Sequence, residues 1–429
     1  MSELTRITRR QAVAVGGAAI AALAVRDPAA AAGSLPGPQP VDVGTTAAEG
    51  VRFPLETAAT DPDPGQPPNP TPRDERIGFA VVGLGRLALE LILPAFASAT
   101  HARLVALVSG SPDKAHAVAA QYGVRPDAVY DYANFDRMRD NPEIRVVYIV
   151  LPNALHREFV ERSVRAGKDV LCEKPMATSV GDAEAMVEAA RSAKRTLMIA
   201  YRCQYELVTR DLQAAVRANT YGKTRLIEAT NVQDMSDPTQ WRLRRALSGG
   251  GSLPDVGIYC FNAARALTGE EPTEVSAATY SPPGDPRFTQ VEETVQWRMR
   301  FPSGVIASCT SSYGMHQSRT LSVHTTDAAL HIDNAFDYKG QRLTVARRDG
   351  AIETVTERKV EAKDQFALEM DHMASCVRTG RRPRTPGEEG LADQRLMEAI
   401  YRSAASGRPI DLPRIEGLDT TRGPEPEKE

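Results

Sequence analysis

Between residues 77 and 200 the chain alternates, at steady spacing, between short and almost wholly apolar runs and segments with the period of an amphipathic helix. IGFAVVG, RLVALVS, RVVYIVLP, DVLCE and TLMIA read as strands; GLGRLALELILPAFASA, SPDKAHAVAAQYG, HREFVERSVRAG and VGDAEAMVEAARSAK read as the helices between them. Strands apolar along their whole length must be covered on both faces, and helices that return between them supply that cover when the strands are parallel. The pattern predicts a doubly wound parallel sheet, an α/β domain over 77–200.

The first strand ends in Gly83-Leu84-Gly85-Arg86-Leu87-Ala88 and opens a helix, the setting in which G-x-G-x-x-G/A signifies dinucleotide binding. Gly83 permits the tight turn, Gly85 lets backbone approach a pyrophosphate, and the helix start turns unpaired N–H groups toward the anion. An NAD site would place a carboxylate at the end of the second strand to hold the ribose diol. Here that strand ends in Ser109-Gly110, with Lys114 just beyond and Arg86 beside the glycines. A hydroxyl and two cations suit a 2′-phosphate, so the residues indicate NADP.

From 201 to 413 strand-like segments follow one another directly (TRLIEATNVQD, EETVQWRMRF, GVIASCTSSYG, RTLSVHT, AALHID), which predicts an α+β domain with an open, mainly antiparallel sheet. Within it, ALSGGGSLPDVGIYCFNAARALTG places Ser252 as a candidate helix N-cap and Asp255 and Tyr259 at i and i+4 on one face. A tyrosine there can move a proton while the aspartate orients a substrate hydroxyl or the phenol. In CEKPMA, Lys174 follows a buried strand, where its charge costs desolvation unless chemistry uses it.

The flanks carry other information. Residues 1–32 have a basic start with the pair Arg9-Arg10, an apolar stretch over 12–25 and small residues at Ala30 and Ala32. That stretch is shorter than the roughly 20 residues a membrane span needs, so it reads as a Tat-type export signal to the periplasm or another extracytoplasmic space, without membrane insertion. Residues 33–76 are rich in Pro, Gly, Asp and Thr and predict an extended arm; residues 414–429 form a charged tail. A net charge of -3 offers no basic surface for nucleic acid. Five scattered cysteines (Cys172, Cys203, Cys260, Cys309, Cys376) make neither a disulfide framework nor a metal site.

Gly83 to Ala88, CEKPMA and GGGSLPDVGIYCFNAAR together resemble the Gfo/Idh/MocA oxidoreductases, a Rossmann domain followed by a mixed-sheet domain. Within that family VVGLGRLAL, ALVSGSPDKA, YDYANFD, VYIVLPNALH, LMIAYRCQYE, QWRLRRAL and RTPGEEG are similar to the glucose-fructose oxidoreductase group, over 76–409. The resemblance implies Lys174 and Tyr259 as the catalytic pair, with Asp255 beside them, and NADP contacts at Gly83, Gly85, Arg86, Leu87, Ser109, Lys114, Tyr132, Pro152, Asn153, His156, Glu173, Lys174, Arg202, Trp241 and Arg242. It implies sugar contacts at Lys174, Arg202, Asp255, Tyr259 and Tyr338. It further implies oxidation of an aldose to a lactone and reduction of a second sugar on retained NADP, in a homo-oligomer, dimer or tetramer, whose arm lies over a neighbouring subunit's cofactor. A sugar dehydrogenase or reductase exchanging soluble NADP, and an exported sugar-binding protein without activity, are the alternatives.

Overall fold

The computed structural model describes residues 45–47, 50–52, 72 and 75–426. Residues 1–32, read above as an export signal, and most of the 33–76 arm lie outside the described residues. Within the arm, Thr45–Ala47 and Gly50–Arg52 pair as an antiparallel ribbon. Residues 70–429 group as one compact unit.

Six parallel strands build the first sheet: β1 (Ile77–Val82), β2 (Ala102–Val108), β3 (Val129–Tyr130), β4 (Val146–Ile149), β5 (Asp169–Glu173) and β6 (Leu197–Ala200), in the order β3-β2-β1-β4-β5-β6. Every residue of β4, β5 and β6 is buried, as their unbroken apolar sequences require of strands covered on both sides. The order reverses between β1 and β4, so the loops leaving their C-terminal ends diverge and open the crevice in which such sheets bind ligands. Covering helices include α1 (Pro112–Tyr122), α2 (His156–Arg165) and α3 (Val180–Ser192). The first helical segment is shorter than the sequence suggests. It runs as a wide π turn, Ala88–Ile92, and then Leu93–Ala95, because Pro94 lacks the N–H a continuing helix needs.

After α4 (Leu207–Arg217) comes a nine-stranded sheet. Its strands are β7 (Thr224–Asp234), β8 (Glu274–Tyr280), β9 (Thr294–Arg300), β10 (Ile306–Ser312), β11 (Gly314–Thr325), β12 (Ala329–Asp333), β13 (Arg342–Asp349), β14 (Ile352–Arg358) and β15 (Ile410–Asp411), in the order β14-β13-β12-β11-β7-β10-β9-β8-β15. All pairings are antiparallel except β7 with β10. The first-listed alternations along the sequence become β7 and β9 to β12. β8, β13 and β14 escape a periodicity reading because few of their residues are buried, one in β8, two in β13 and none in β14. Helix α5 (Ile258–Thr268) packs on β7 and β10, with Phe261 edge-on to Trp297 at 6.1 Å.

Two C-terminal helices join the sheets. α6 (Gln365–Thr379) returns to β2, where the Asp371 carboxylate accepts backbone N–H bonds from Thr100, His101 and Ala102 at 2.7, 2.7 and 2.9 Å. α7 (Gly387–Ser406) packs against α3, β6 and β8 together. The described part of the charged tail docks on this junction: Arg422, 3% exposed, pairs with Glu389, and Arg265 meets Glu271, Glu389 and Asp393. Burial together with Glu389 pushes the Asp393 carboxyl up to about 7, although Arg265 pulls it the other way. No helix among the described residues is long and apolar enough to cross a membrane.

Candidate active site

A cleft of about 960 Å³ runs from the Gly83–Leu87 turn along the C-terminal ends of β1, β2, β4 and β5 to the central strands β7 and β11 of the second sheet. Gly83 needs its hydrogen side chain: φ is +96°, and a Cβ would sit 2.3 Å from the Val150 carbonyl oxygen. Gly85 is different, since a Cβ there would meet nothing within 4 Å. Protein packing does not demand a glycine at 85; the cleft beside it is where a ligand's phosphates would approach. Lys114 swings to this turn and donates to the Leu84 carbonyl at 3.0 Å, while the Ser109 hydroxyl accepts from the Ser111 N–H at 3.1 Å. Tyr132 lies against Gly110, and the exposed Arg86 reaches Glu90 at 2.9 Å. Hydroxyls, a lysine and an arginine thus gather at the end of β2 without a carboxylate on that strand end, a donor set that fits a nicotinamide dinucleotide carrying a 2′-phosphate.

At the other end Lys174, 10% exposed, donates from Nζ to the Asp255 carbonyl at 2.8 Å and lies 3.4 Å from Asp255 Oδ1. It also stands over the Tyr259 ring, 4.6 Å from its centre. Asp255 belongs to a wide turn, Leu253–Gly257, that opens α5, and Tyr259 follows in α5 itself, so the expected one-turn spacing brings both to the cleft. Their roles separate there. Asp255 does not bond the phenol of Tyr259: its carboxylate is taken by Lys174, by Arg242 Nε at 3.1 Å and by the Tyr313 hydroxyl at 2.8 Å. Burial alone would raise its pKa, but Arg242, Lys174 and Tyr313 outweigh that and hold the carboxyl well below the usual range.

Arg202 explains the orientation of Tyr259. It is 4% exposed, donates from Nε to the Tyr259 hydroxyl oxygen at 3.2 Å, from Nη1 to the Asp337 carbonyl at 3.1 Å and the Gln365 amide oxygen, and from Nη2 to the Phe336 carbonyl at 2.7 Å. Its guanidinium lies 4.7 and 4.6 Å from the ring centres of Tyr259 and Tyr338. Since the phenolic oxygen accepts a hydrogen bond from Arg202, the phenol's own O–H is free to point elsewhere. Burial raises the Tyr259 pKa and Arg202 partly opposes it, so the phenol is neutral at ordinary pH. Four of the five N–H groups of Arg202 bond protein atoms, and the residue lines the cleft beside Tyr259 and Tyr338.

The remaining residues named from sequence divide. Leu87, Tyr132, Pro152, Asn153, Glu173, Trp241 and Arg242 line the cleft with those above. Asn153 is braced by the Ser248 carbonyl at 2.8 Å, and Arg242 stacks over Trp241 at 4.7 Å. His156 does not line it. The ring is fully buried with both nitrogens against carbonyls, Pro175 and Leu151 at 2.9 Å each, and ties the loops after β4 and β5 together from behind. Ser252 does not cap α5 either: its hydroxyl meets Ser311 Oγ at 3.1 Å, and the buried carboxylate of Glu292 takes the Gly251 and Leu253 N–H groups instead. Sequence reasoning missed Asn231, Gln233 and Arg319, which reach the cleft from β7 and β11, Arg319 through an ion pair with Asp337 at 2.7 Å. Asn231 and Gln233 stand two apart, the spacing of one sheet face, and that polar alternation was the available signal.

The depressed Asp255 carboxyl sets a pH dependence. Its folded pKa lies below the unfolded value, so its contribution is complete above the unfolded pKa of about 4 and is lost as pH falls further. Denaturant midpoints measured from pH 5 downward should fall for the native protein, and less steeply for Asp255→Asn. Parallel curves for the two proteins would remove Asp255 from the acid response.

Comparison with known proteins agrees with this architecture. Residues 77–201 match the oxidoreductase family with an NAD-binding Rossmann fold, and residues 209–331 match the GFO/IDH/MocA C-terminal domain. The chain is 31% identical over 347 residues to D-xylose 1-dehydrogenase [NADP(+)] of Haloarcula marismortui, covering 80% of this chain and 95% of that one. It is 30% identical to D-xylose 1-dehydrogenase (NADP(+)) 2 of Haloferax volcanii, over 78% of this chain and 99% of that one. Among solved structures, aldose-aldose oxidoreductase from Caulobacter crescentus, complexed with glycerol, superposes with a TM-score of 0.76 at 43% identity, over 79% of this chain and 100% of that one. The two family matches cover the two sheet-bearing parts of the chain in their order, and this chain belongs to the Gfo/Idh/MocA family of oxidoreductases.

Proposed function

We propose that the protein is an NADP-dependent sugar oxidoreductase that oxidises an aldose to its lactone and returns the hydride to a second sugar on a cofactor it retains. One observation carries this reading: a single cleft holds both the Ser109–Lys114 corner and the Lys174–Tyr259 pair. The likeness to an aldose-aldose oxidoreductase and to NADP(+)-dependent xylose dehydrogenases supports the sugar and the cofactor. The names of the two dehydrogenases equally favour a second reading, an aldose 1-dehydrogenase that exchanges soluble NADP. Export on the Arg9-Arg10 signal favours retention, because free NADP is not replenished outside the cytoplasm.

NADP supplies the hydride acceptor and, once reduced, the donor. The chain's residues handle the proton. The base is Tyr259 as its phenolate, the form that Arg202 favours against burial: when the C1 hydride leaves, the hydroxyl proton passes to that phenolate, which becomes the phenol, and the Lys174 ammonium balances the alkoxide charge that develops. Reduction of the second sugar runs the path backwards, with Tyr259 giving its proton to the new alkoxide. Proton and hydride therefore leave and return together. Asp255, itself anchored by Arg242, holds Lys174 in place, and Asn231, Gln233, Arg319 and Tyr338 form the polar and aromatic wall open to the sugar's other hydroxyls.

Tyr259→Phe should preserve NADP binding and lower turnover by about 10²-fold or more, and abolish the rise of sugar oxidation with pH that deprotonation of the phenol produces. Unchanged turnover would exclude Tyr259 from proton transfer. Protein purified without added nucleotide should keep its nicotinamide absorbance through dialysis, release NADP rather than NAD on acid treatment, become reduced with an aldose and be reoxidised by a ketose or second aldose. Loss of nucleotide on dialysis, with turnover only in added NADP, would establish the soluble-cofactor dehydrogenase instead.

A further inference from the structure

Behind Lys174 lies a carboxylate pair that the proton path above does not use. Glu369, on α6, and Tyr148, on β4, are completely buried, and Glu173, the last residue of β5, is 7% exposed. The Tyr148 hydroxyl stands between the two acids, 2.9 Å from Glu173 Oε1 and 3.4 Å from Glu369 Oε2. Glu173 Oε2 accepts the backbone N–H of Lys174 at 3.2 Å. Glu369 Oε1 has no hydrogen-bond partner among the described residues.

One phenolic hydrogen cannot serve two ionised carboxylates, and a buried charge without donors is costly. The surroundings decide which acid carries the proton. Lys174, from the loop after β5, favours a charged Glu173 and is not among the groups acting on Glu369. Arg202, in the turn after β6, acts on both. Tyr148 from β4, Cys172 from β5, Cys203 and Tyr205 from the turn after β6, and Tyr259 from α5 also face the pair. Burial raises both acids, Glu369 the more strongly, with Glu173 as its second cause. A protonated Glu369 donates to the Tyr148 oxygen, which frees the Tyr148 hydrogen for Glu173, and every strong donor then has an acceptor.

We propose that Glu369 is a neutral acid and a positioning residue: through the Tyr148 hydroxyl it holds the Glu173 carboxylate on the Lys174 backbone N–H, and so sets where the Lys174 ammonium stands. Its effect on turnover rests on the sugar oxidoreductase reading, whereas its protonation does not. The probe for protonation is infrared spectroscopy of the protein without added cofactor. The difference between wild type and Glu369→Gln, taken at neutral pH, should show the carbonyl stretch of a protonated carboxylic acid. A difference that shows carboxylate bands instead would overturn the proposal.

Kinetics provides the second arm. Glu369→Gln keeps a donor toward Tyr148 and should retain kcat within about 3-fold and the wild-type pH profile, whereas Glu369→Met, similar in length and without a donor, should lower kcat about tenfold with KM unmoved. Equal kcat in the two variants, or a Met variant whose loss lies in KM alone, would refute the positioning role. Absence of sugar-dependent turnover in the wild type would count against the proposed function, while the infrared band would still report on Glu369.

Discussion

The arrangement turns on one buried cation. Arg202 sits in the turn after β6, and its donors reach the loop after β12 at Phe336 and Asp337, the first residue of α6 at Gln365, and α5 at Tyr259. Three separate elements are thereby tied to one planar group. A guanidinium suits the task because its fork is rigid, its charge cannot be discarded at physiological pH, and its faces accept aromatic rings. The acceptors are mostly neutral carbonyl and amide oxygens, so the positive charge is not cancelled locally and remains available to a phenolate at Tyr259.

Around that cation the site separates charge by function. Asp255 is fully committed to Lys174, Arg242 and Tyr313 and organises cations without touching the phenol. Glu173 fixes the Lys174 backbone from the opposite side. Lysine is thus held by its ammonium and by its backbone, which removes the freedom of a four-carbon side chain and aims the charge at the space in front of Tyr259. The phosphate end differs in kind. It is open, with a glycine that packing does not require and a lysine hydrogen-bonded only to a carbonyl, so it is ready to exchange that weak bond for an anion.

What could be read from the sequence was what depends on local chemistry. The strands β1, β2, β4, β5 and β6 are legible because burial on both faces leaves no polar residue to break their runs, and the glycine turn because its backbone constraints are written in residue type. Lys174 and Tyr259 stood out as polar residues in apolar or glycine-rich settings. His156 misled for a complementary reason: a histidine after a strand end can face a ligand or brace two loops, and only its burial between the Pro175 and Leu151 carbonyls separates the cases. Asn231, Gln233 and Arg319 depend on strand pairing, since the β7–β11 register decides which side chains share the cleft. Glu292 and Glu369 are long-range partners, 39 and 221 residues from Leu253 and Tyr148, and nothing in their own neighbourhoods announces a cap or a shared proton.

The central claim is that one cleft moves a hydride out of a sugar and back into another without releasing it. An aldose deuterated at C1, mixed with a second sugar and the protein in ordinary water, tests this directly. The account predicts that deuterium is recovered on the newly reduced carbon of the second sugar, undiminished by a large excess of unlabelled NADPH in solution. Dilution of the label by that NADPH, with deuterium appearing in the soluble nucleotide, would contradict it.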